Sequence, residues 1–474
     1  MGTRKKRERQ EPLWLTQAEL PKGPGHPFYK RLNQLLEAEK FDGFCELECA
    51  QFYAESNGRP SLTPGTYFRL MLVGYFEGID SERGMAWRVA DSLGLREYLG
   101  YGMDERTPDH STISRTRRLI DVETHQKVFF WVLGLLADRD LVKGKTVGID
   151  GTTLEANAAM RSIVRRDNGA SYDEFLKGLA QESGIATPTR EDLARLDRKR
   201  KKKGANKEWV NPNDADARIT KMKDGSTHLA HKAEHAVDLD TGAVLAVTLQ
   251  PADQGDTTTI RETLAQAGEN VADLIGREAT KPVPGVNLGG IEEVVGDKGY
   301  HSGPTLVAMK QAGVRTYIPE KKQRGKRHWI GKADEQQAVY ANRQRVSRTY
   351  GKSLLRKRGE FIERSFAHCY ETGAMRRTHL RGHQNILKRQ LIHVGAFNLS
   401  LIFRTLIGAG TPRELKNRLA MLVFVLQRLV MSLRGTTDDS TSLVQPKSEF
   451  ALPESFESKS NCHHSKSRGF ATGC

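Results

Sequence analysis

The chain has 474 residues, enough to bury a sizeable core in more than one lobe. Its 74 Lys and Arg against 58 Asp and Glu give a formal charge of +16, which favours a polyanionic partner, nucleic acid being the commonest. The five cysteines are odd in number and scattered (Cys45, Cys49, Cys369, Cys462, Cys474), which argues against a disulfide framework and for a reducing compartment.

The chain opens on a basic segment, residues 1–44, beginning MGTRKKRERQ. No apolar signal segment follows it, so a cytoplasmic location is expected. Over residues 45–135, apolar positions recur at three and four, as in LTPGTYFRLMLVGYFEGIDSERGMAWRVADSLGLREYLG, and predict a small helical domain with Pro64 in a first turn. Within it, TPDHSTISRTRRLI offers Asp109 or Ser111 as an N-cap and sets Arg115, Arg117 and Arg118 on the helix that follows. A short helix pair ending in a basic helix is the grammar of a helix-turn-helix, whose second helix enters a major groove. The plainer reading is a surface helix whose arginines face water.

The period then changes. KTVGIDGTTLEAN, residues 145–157, is a short β-rich run that reaches Asp150. A polar insert at about 160–225 follows, containing DRKRKKKGANKEW; such a run is usually solvated and mobile, or lies along a phosphate backbone with its tryptophan. HKAEHAVDLDTG and AVLAVTLQPAD alternate and meet at an Asp-Thr-Gly turn, which predicts a β-hairpin. DTTTIRETLAQAG reads as a helix, EEVVGD as a strand ending at Asp297, SGPTLVAMKQAG as a helix and VRTYIP as a strand. The order β-β-β-α-β-α-β predicts an α/β class with a mixed sheet and helices on its faces. The apolar stretch AMLVFVLQRLVMSL, inside a C-terminal helix over residues 411–435, is too short for a bilayer and carries Gln427 and Arg428; it predicts a packing helix, and no membrane span is expected. Residues 436–474, rich in Ser, Thr, Lys and Asp, are expected to be disordered, and their Cys462-His463-His464 lacks zinc spacing.

Asp150 and Asp297 each stand at the end of a short apolar strand, where α/β sheets bind ligands. Two ionised carboxylates side by side repel, so either one takes up a proton or a hard cation such as Mg²⁺ bridges them. A third acid comes from GEFIERSFAHCYETGAMRRTHLRG, where Glu363 shares a helical face with Phe366, Ala367 and Tyr370, and Glu360 is its rival. Two ions held by carboxylates facing a basic surface suit phosphodiester chemistry. No G-x-S-x-G, P-loop or H-E-x-x-H is present. His228, His231 and His235 cluster in sequence, but on a strand they make a poor zinc site.

The phrases VGIDGTTLEANA, AEHAVDLDTGAVLAVTLQPADQGDT, VVGDKGYHS and FIERSFAHCYETGAMRRTHLRG, in this order, resemble the DDE transposases of bacterial insertion sequences in the broad IS4/IS5 group, IS1182-like. The helical segment with PDHSTISRTRRLI is similar to the N-terminal domain of those enzymes. The resemblance implies a ribonuclease H-like catalytic domain over residues 140–410, preceded by the helical DNA-binding domain. It implies two Mg²⁺ ions, with Mn²⁺ as a substitute, held by Asp150, Asp297 and Glu363, the last chosen over Glu360. It implies cleavage at element ends and joining to target DNA by a homodimer or larger assembly on double-stranded DNA, near the bacterial nucleoid. Lys298, His301, Arg376 and Arg377 are expected to join the helix arginines in DNA contact. The family's usual Lys or Arg seven positions after the Glu is replaced by Tyr370. A metal-dependent nuclease without joining and a DNA-binding protein with a decayed core are the alternatives.

Overall fold

A computed structural model describes residues 25–54, 61–200, 204–222, 225–277, 285–322 and 327–435. Most of the basic N-terminal segment and the whole tail from 436 lie outside the described residues. The chain falls into two units, Met1–Arg418 and Leu419–Cys474.

In the first unit, seven helices precede the sheet: α1 (Pro27–Ala38), α2 (Phe41–Cys49), α3 (Pro64–Glu77), α4 (Glu82–Asp91), α5 (Leu93–Tyr98), α6 (His110–Leu119) and α7 (Val122–Ala137). Their starts are written in the sequence. Ser81, Ser92, Asp109 and Asp121 each accept a backbone N–H of the first turn, and Pro64 opens α3. Gly78, at φ +68°, ends α3 in the left-handed conformation that glycine adopts without strain. Helix α3 is buried on all sides, from Pro64 to Phe76 apart from Thr66.

The strands are β1 (Thr146–Glu155), β2 (Val164–Arg165), β3 (Trp209–Val210), β4 (Arg218–Lys221), β5 (Thr227–Asp238), β6 (Val244–Pro251), β7 (Glu293–Val295) and β8 (Arg315–Tyr317). Six of them form one sheet in the order β6-β5-β1-β7-β8, with β4 beside the first residues of β5. β1, β5 and β6 run antiparallel as a meander, and β1, β7 and β8 run parallel through helical crossovers. This mixed α/β arrangement behind an N-terminal helical region is that of a ribonuclease H-like core, as the resemblance implied. The remaining helices are α8 (Tyr172–Glu182), α9 (Arg190–Lys199), α10 (Asp256–Arg277), α11 (Gly303–Gln311), α12 (Ala333–Ser347), α13 (Thr349–Ala367), α14 (His383–Ile407) and α15 (Pro412–Gly435).

Side-chain alternation along β5 assigns its two faces. Glu234 points to α10, where Thr259 and Thr263 bind it, and His235 points to α13, where Ser365 binds it. Helix α14 joins the two halves of the unit. Its interior run from Lys388 to Phe403 is buried throughout, and it packs on α3 and α7 while Asn398 bonds both the N–H and the C=O of Val244 on β6. The stretch His383–Gln427 is long and apolar enough to cross a bilayer, but 67% of its apolar window is buried in the protein, as in a core helix.

Three expectations change. The insert is folded where it is described: α8 and α9 each start in a capping box, and Trp209, 1% exposed, sits between Tyr172 and Phe175 with Arg165 over its ring. That tryptophan is core, closed to a nucleic-acid base. The α-helical face read from Glu363 through Tyr370 is interrupted, because α13 ends at Ala367 and a π turn, His368–Thr372, follows it directly, with α14 starting only at His383. In α15, expected to pack, Leu419, Met421 and the run from Val423 to Leu426 are exposed.

Candidate active site

Parallel pairing of β1 with β7 sets Gly148 opposite Val295. Two residues further on in each chain direction come Asp150 and Asp297. Asp150 still lies within β1, paired with His235 of β5, whereas Asp297 has left β7 and caps a single turn, Lys298–Tyr300, by accepting the Gly299 N–H at 2.6 Å. Capping and membership of an acid pair are thus both true of Asp297.

The Asp150 carboxylate accepts the Gly151 N–H at 2.8 Å and Nη1 of Arg358 at 2.7 Å. Burial pushes its pKa above the ordinary carboxylate value; the Arg358 charge opposes this, and the charge of Asp297 adds to it. Arg358 reaches the strand because residue 148 is glycine. A Cβ there would lie 2.7 Å from Leu239 Cδ2 and 3.2 Å from both Arg358 Cγ and Ile362 Cδ1, so a larger residue would displace Leu239 and press on Arg358 and Ile362 of α13.

The third predicted acid is placed differently. Glu363 is exposed, between Ile362 and Ser365, which are buried against the sheet. Among the described residues no hydrogen bond or ion pair engages it, while Glu360 pairs with Arg364 at 2.6 Å. The face of α13 that meets the sheet carries Phe366, stacked on His235 at 4.1 Å, and Tyr370 continues it from the π turn. Ala367 is exposed. Among the described residues no three His, Cys, Asp or Glu side chains come together at metal-binding distance, so the structure assembles the aspartate pair and not the full triad.

The histidines separate as well. His231 binds Asp214 at 3.1 Å and His235 binds Ser365 at 3.0 Å, each a buried ring with its own partner. Burial lowers the His235 pKa to about 3.

The expected DNA contacts divide into exposed and interior groups. Arg115 and Arg118 are exposed on α6, their guanidinium groups folded back onto Ser111 and Ser114. Arg117, between them, is interior: it holds Glu82 of α4 at 2.6 Å and reaches Asn385 of α14, so it fastens helices together. Lys298 is exposed beside Asp297, whereas His301 is buried, its pKa lowered first by burial. Arg376 pairs with Glu371, and Arg377 stands 3.7 Å from Glu155 near the end of β1. Sequence reasoning passed over a buried charged group behind the acids, Lys232 with Glu234, though two charges on one face of an otherwise apolar strand were a visible signal.

The mixed sheet behind an N-terminal helical region defines the class, a protein of ribonuclease H-like architecture. Comparison with known families adds the particular kind: residues 17–119 match the transposase domain DUF772, and residues 187–399 match the transposase DDE domain. The chain therefore carries an N-terminal transposase domain followed by a DDE transposase domain, and the latter marks an enzyme. No curated protein and no solved structure matches it. The DDE match contains Asp297 and Glu363 and begins after Asp150, which the pairing of β1 with β7 brings beside Asp297.

Proposed function

We propose that the chain cuts DNA at the ends of a mobile element and joins the freed ends to target DNA. The observation that carries this reading is the placement of Asp150, within β1, and Asp297, just beyond the end of β7, at corresponding positions of neighbouring parallel strands in a transposase DDE fold.

The acid pair fits a hard divalent cation. Its donors are carboxylate oxygens, and burial, which raises the Asp150 pKa ahead of the nearby Asp297 charge, is a cost that a cation bound between the two would offset. In this reading Asp150 and Asp297 hold Mg²⁺, or Mn²⁺ in its place, and Glu363, uncommitted among the described residues, completes the set from α13. The ions supply the Lewis acidity that phosphodiester cleavage and transfer require. Arg358 neutralises Asp150 and offers a guanidinium to a phosphate entering the site. The exposed Arg115, Arg118 and Lys298 bind DNA phosphates, as do Arg376 and Arg377 once their acidic partners are exchanged for DNA. Water is the nucleophile at the element end and the resulting 3′-hydroxyl is the nucleophile at the target, so no covalent enzyme intermediate arises. The working form is a homodimer or larger assembly on DNA in a bacterial cytoplasm.

Incubating the protein with labelled DNA carrying the element ends, Mg²⁺ and a target plasmid tests the reading. Joined products are expected. Cut ends alone would make the protein a nuclease, and bound, uncut DNA would make it a binding protein with a decayed core.

A further inference from the structure

Behind the acid pair, on the face of the sheet that meets α10, lies a charged cluster in which Lys232 and Glu234 are buried and Asp256 is partly exposed. The Lys232 ammonium donates to Asp256 at 2.6 Å, to Glu234 at 2.8 Å and to Thr259 at 3.0 Å. Glu234, with no side-chain exposure, also accepts from Thr259, from Thr263 at 2.7 Å and from the Tyr300 hydroxyl at 3.1 Å. Both carboxylate oxygens of Glu234 are used.

Such a cluster is a poor device for stability alone, because desolvating the ions offsets most of their attraction and an apolar replacement is often as stable. What distinguishes this one is where it touches the chain. Glu234 is the β5 partner of Gly151, the residue after Asp150, and a Cβ on Gly151 would lie 2.7 Å from Lys232 Cε. On the other side, Asp256 and Asp297 flank Gly299 together: a Cβ there would run into the Asp256 carboxylate and lie 2.7 Å from Asp297 Oδ1. Tyr300, which binds Glu234, closes the turn that Asp297 caps. Lys232 thus ties β5, the strand beside Asp150, to the start of α10, and Tyr300 ties the turn that carries Asp297 to the Glu234 that Lys232 holds.

We infer that Lys232 and Asp256 are positioning residues that fix the separation of Asp150 and Asp297 for cation binding. The inference rests on the reading of those two aspartates as a cation site. Partners that hold metal ligands in place without touching the metal typically change its affinity by roughly 10–100-fold when removed.

The test uses the full-length protein and Mn²⁺. Thermal unfolding without metal, the Mn²⁺ concentration giving half the maximal rise in Tm, and cleavage of end-bearing DNA are measured for wild type, Lys232→Met, Asp256→Asn and the double variant. The two single variants are expected to raise the Mn²⁺ midpoint by roughly 10–100-fold and to recover cleavage at saturating Mn²⁺. The double variant is expected to do no worse than the weaker single, since both act through one network. Asp256 is 38% exposed, so Asp256→Asn decides the matter if Lys232→Met does not fold. A wild-type midpoint in Asp256→Asn, or loss of cleavage that saturating Mn²⁺ does not restore, would overturn the inference. An unchanged midpoint in Asp297→Asn would instead remove the cation site itself, and this inference with it.

Discussion

Three arginines on one helix show how far residue type alone reaches. Arg115, Arg117 and Arg118 look equivalent in sequence, yet Arg117 is buried against Glu82 and the other two are exposed. The difference is a matter of helical phase: Ile113, Thr116 and Arg117 form the buried side of α6, and a charge can stand there only because Glu82 arrives from α4. Arg117→Ala removes a buried cation and leaves the largely covered Glu82 without its partner, and is expected to cost about 3 kcal/mol in urea denaturation. Arg118→Ala should leave stability within about 0.5 kcal/mol. It should weaken DNA binding uniformly and make it less sensitive to salt. Equal losses of stability in the two variants would refute the assignment. The strands that carry Asp150 and Asp297, by contrast, were legible from their short apolar runs, but only β7 ends beside its aspartate, whereas β1 continues past Asp150 to Glu155 because β5 goes on pairing with it.

At the scale of elements, the meander and the helical crossovers were also legible, from alternation and from the Asp-Thr-Gly turn, where Gly242 takes φ +82°. Three features were not. The charge-rich insert hides a small core around Trp209, whose apolar members lie far apart in sequence and give no periodic signal. The π turn after α13 has no local composition to announce it. The seating of α13 on β1 depends on Gly148, whose importance comes from a helix some two hundred residues later. Gly148→Val forces its side chain into Leu239, Arg358 and Ile362, and is expected to destabilise the fold by roughly 1–3 kcal/mol. It should also part Arg358 from Asp150. Unaltered stability by thermal or urea unfolding would show that α13 does not lie so close.

Across the whole molecule, the helical region and the sheet share α14, so the chain up to Arg418 packs as one unit although its sequence reads as two domains. That unit encloses neutral imidazoles whose titration links its stability to pH. Burial lowers His125 and His235 to about 3, and His368 to about 4, from an ordinary value of 6.5. Because the unfolded chain takes up these protons first, the stability they contribute is complete above about pH 6.5 and is lost as pH falls towards about 4 and then about 3. Tm should therefore fall progressively from pH 7 to pH 4; a flat profile would mean that these rings are charged or accessible in the folded state.

In the proposed function Asp150, outside the matched DDE segment, works with Asp297 inside it as one cation-binding pair. Cleavage of end-bearing DNA by Asp150→Asn in Mg²⁺, with DNA binding measured on the same preparation, tests it most directly. Binding close to wild type with cleavage abolished is the predicted result; cleavage at the wild-type rate would contradict the account.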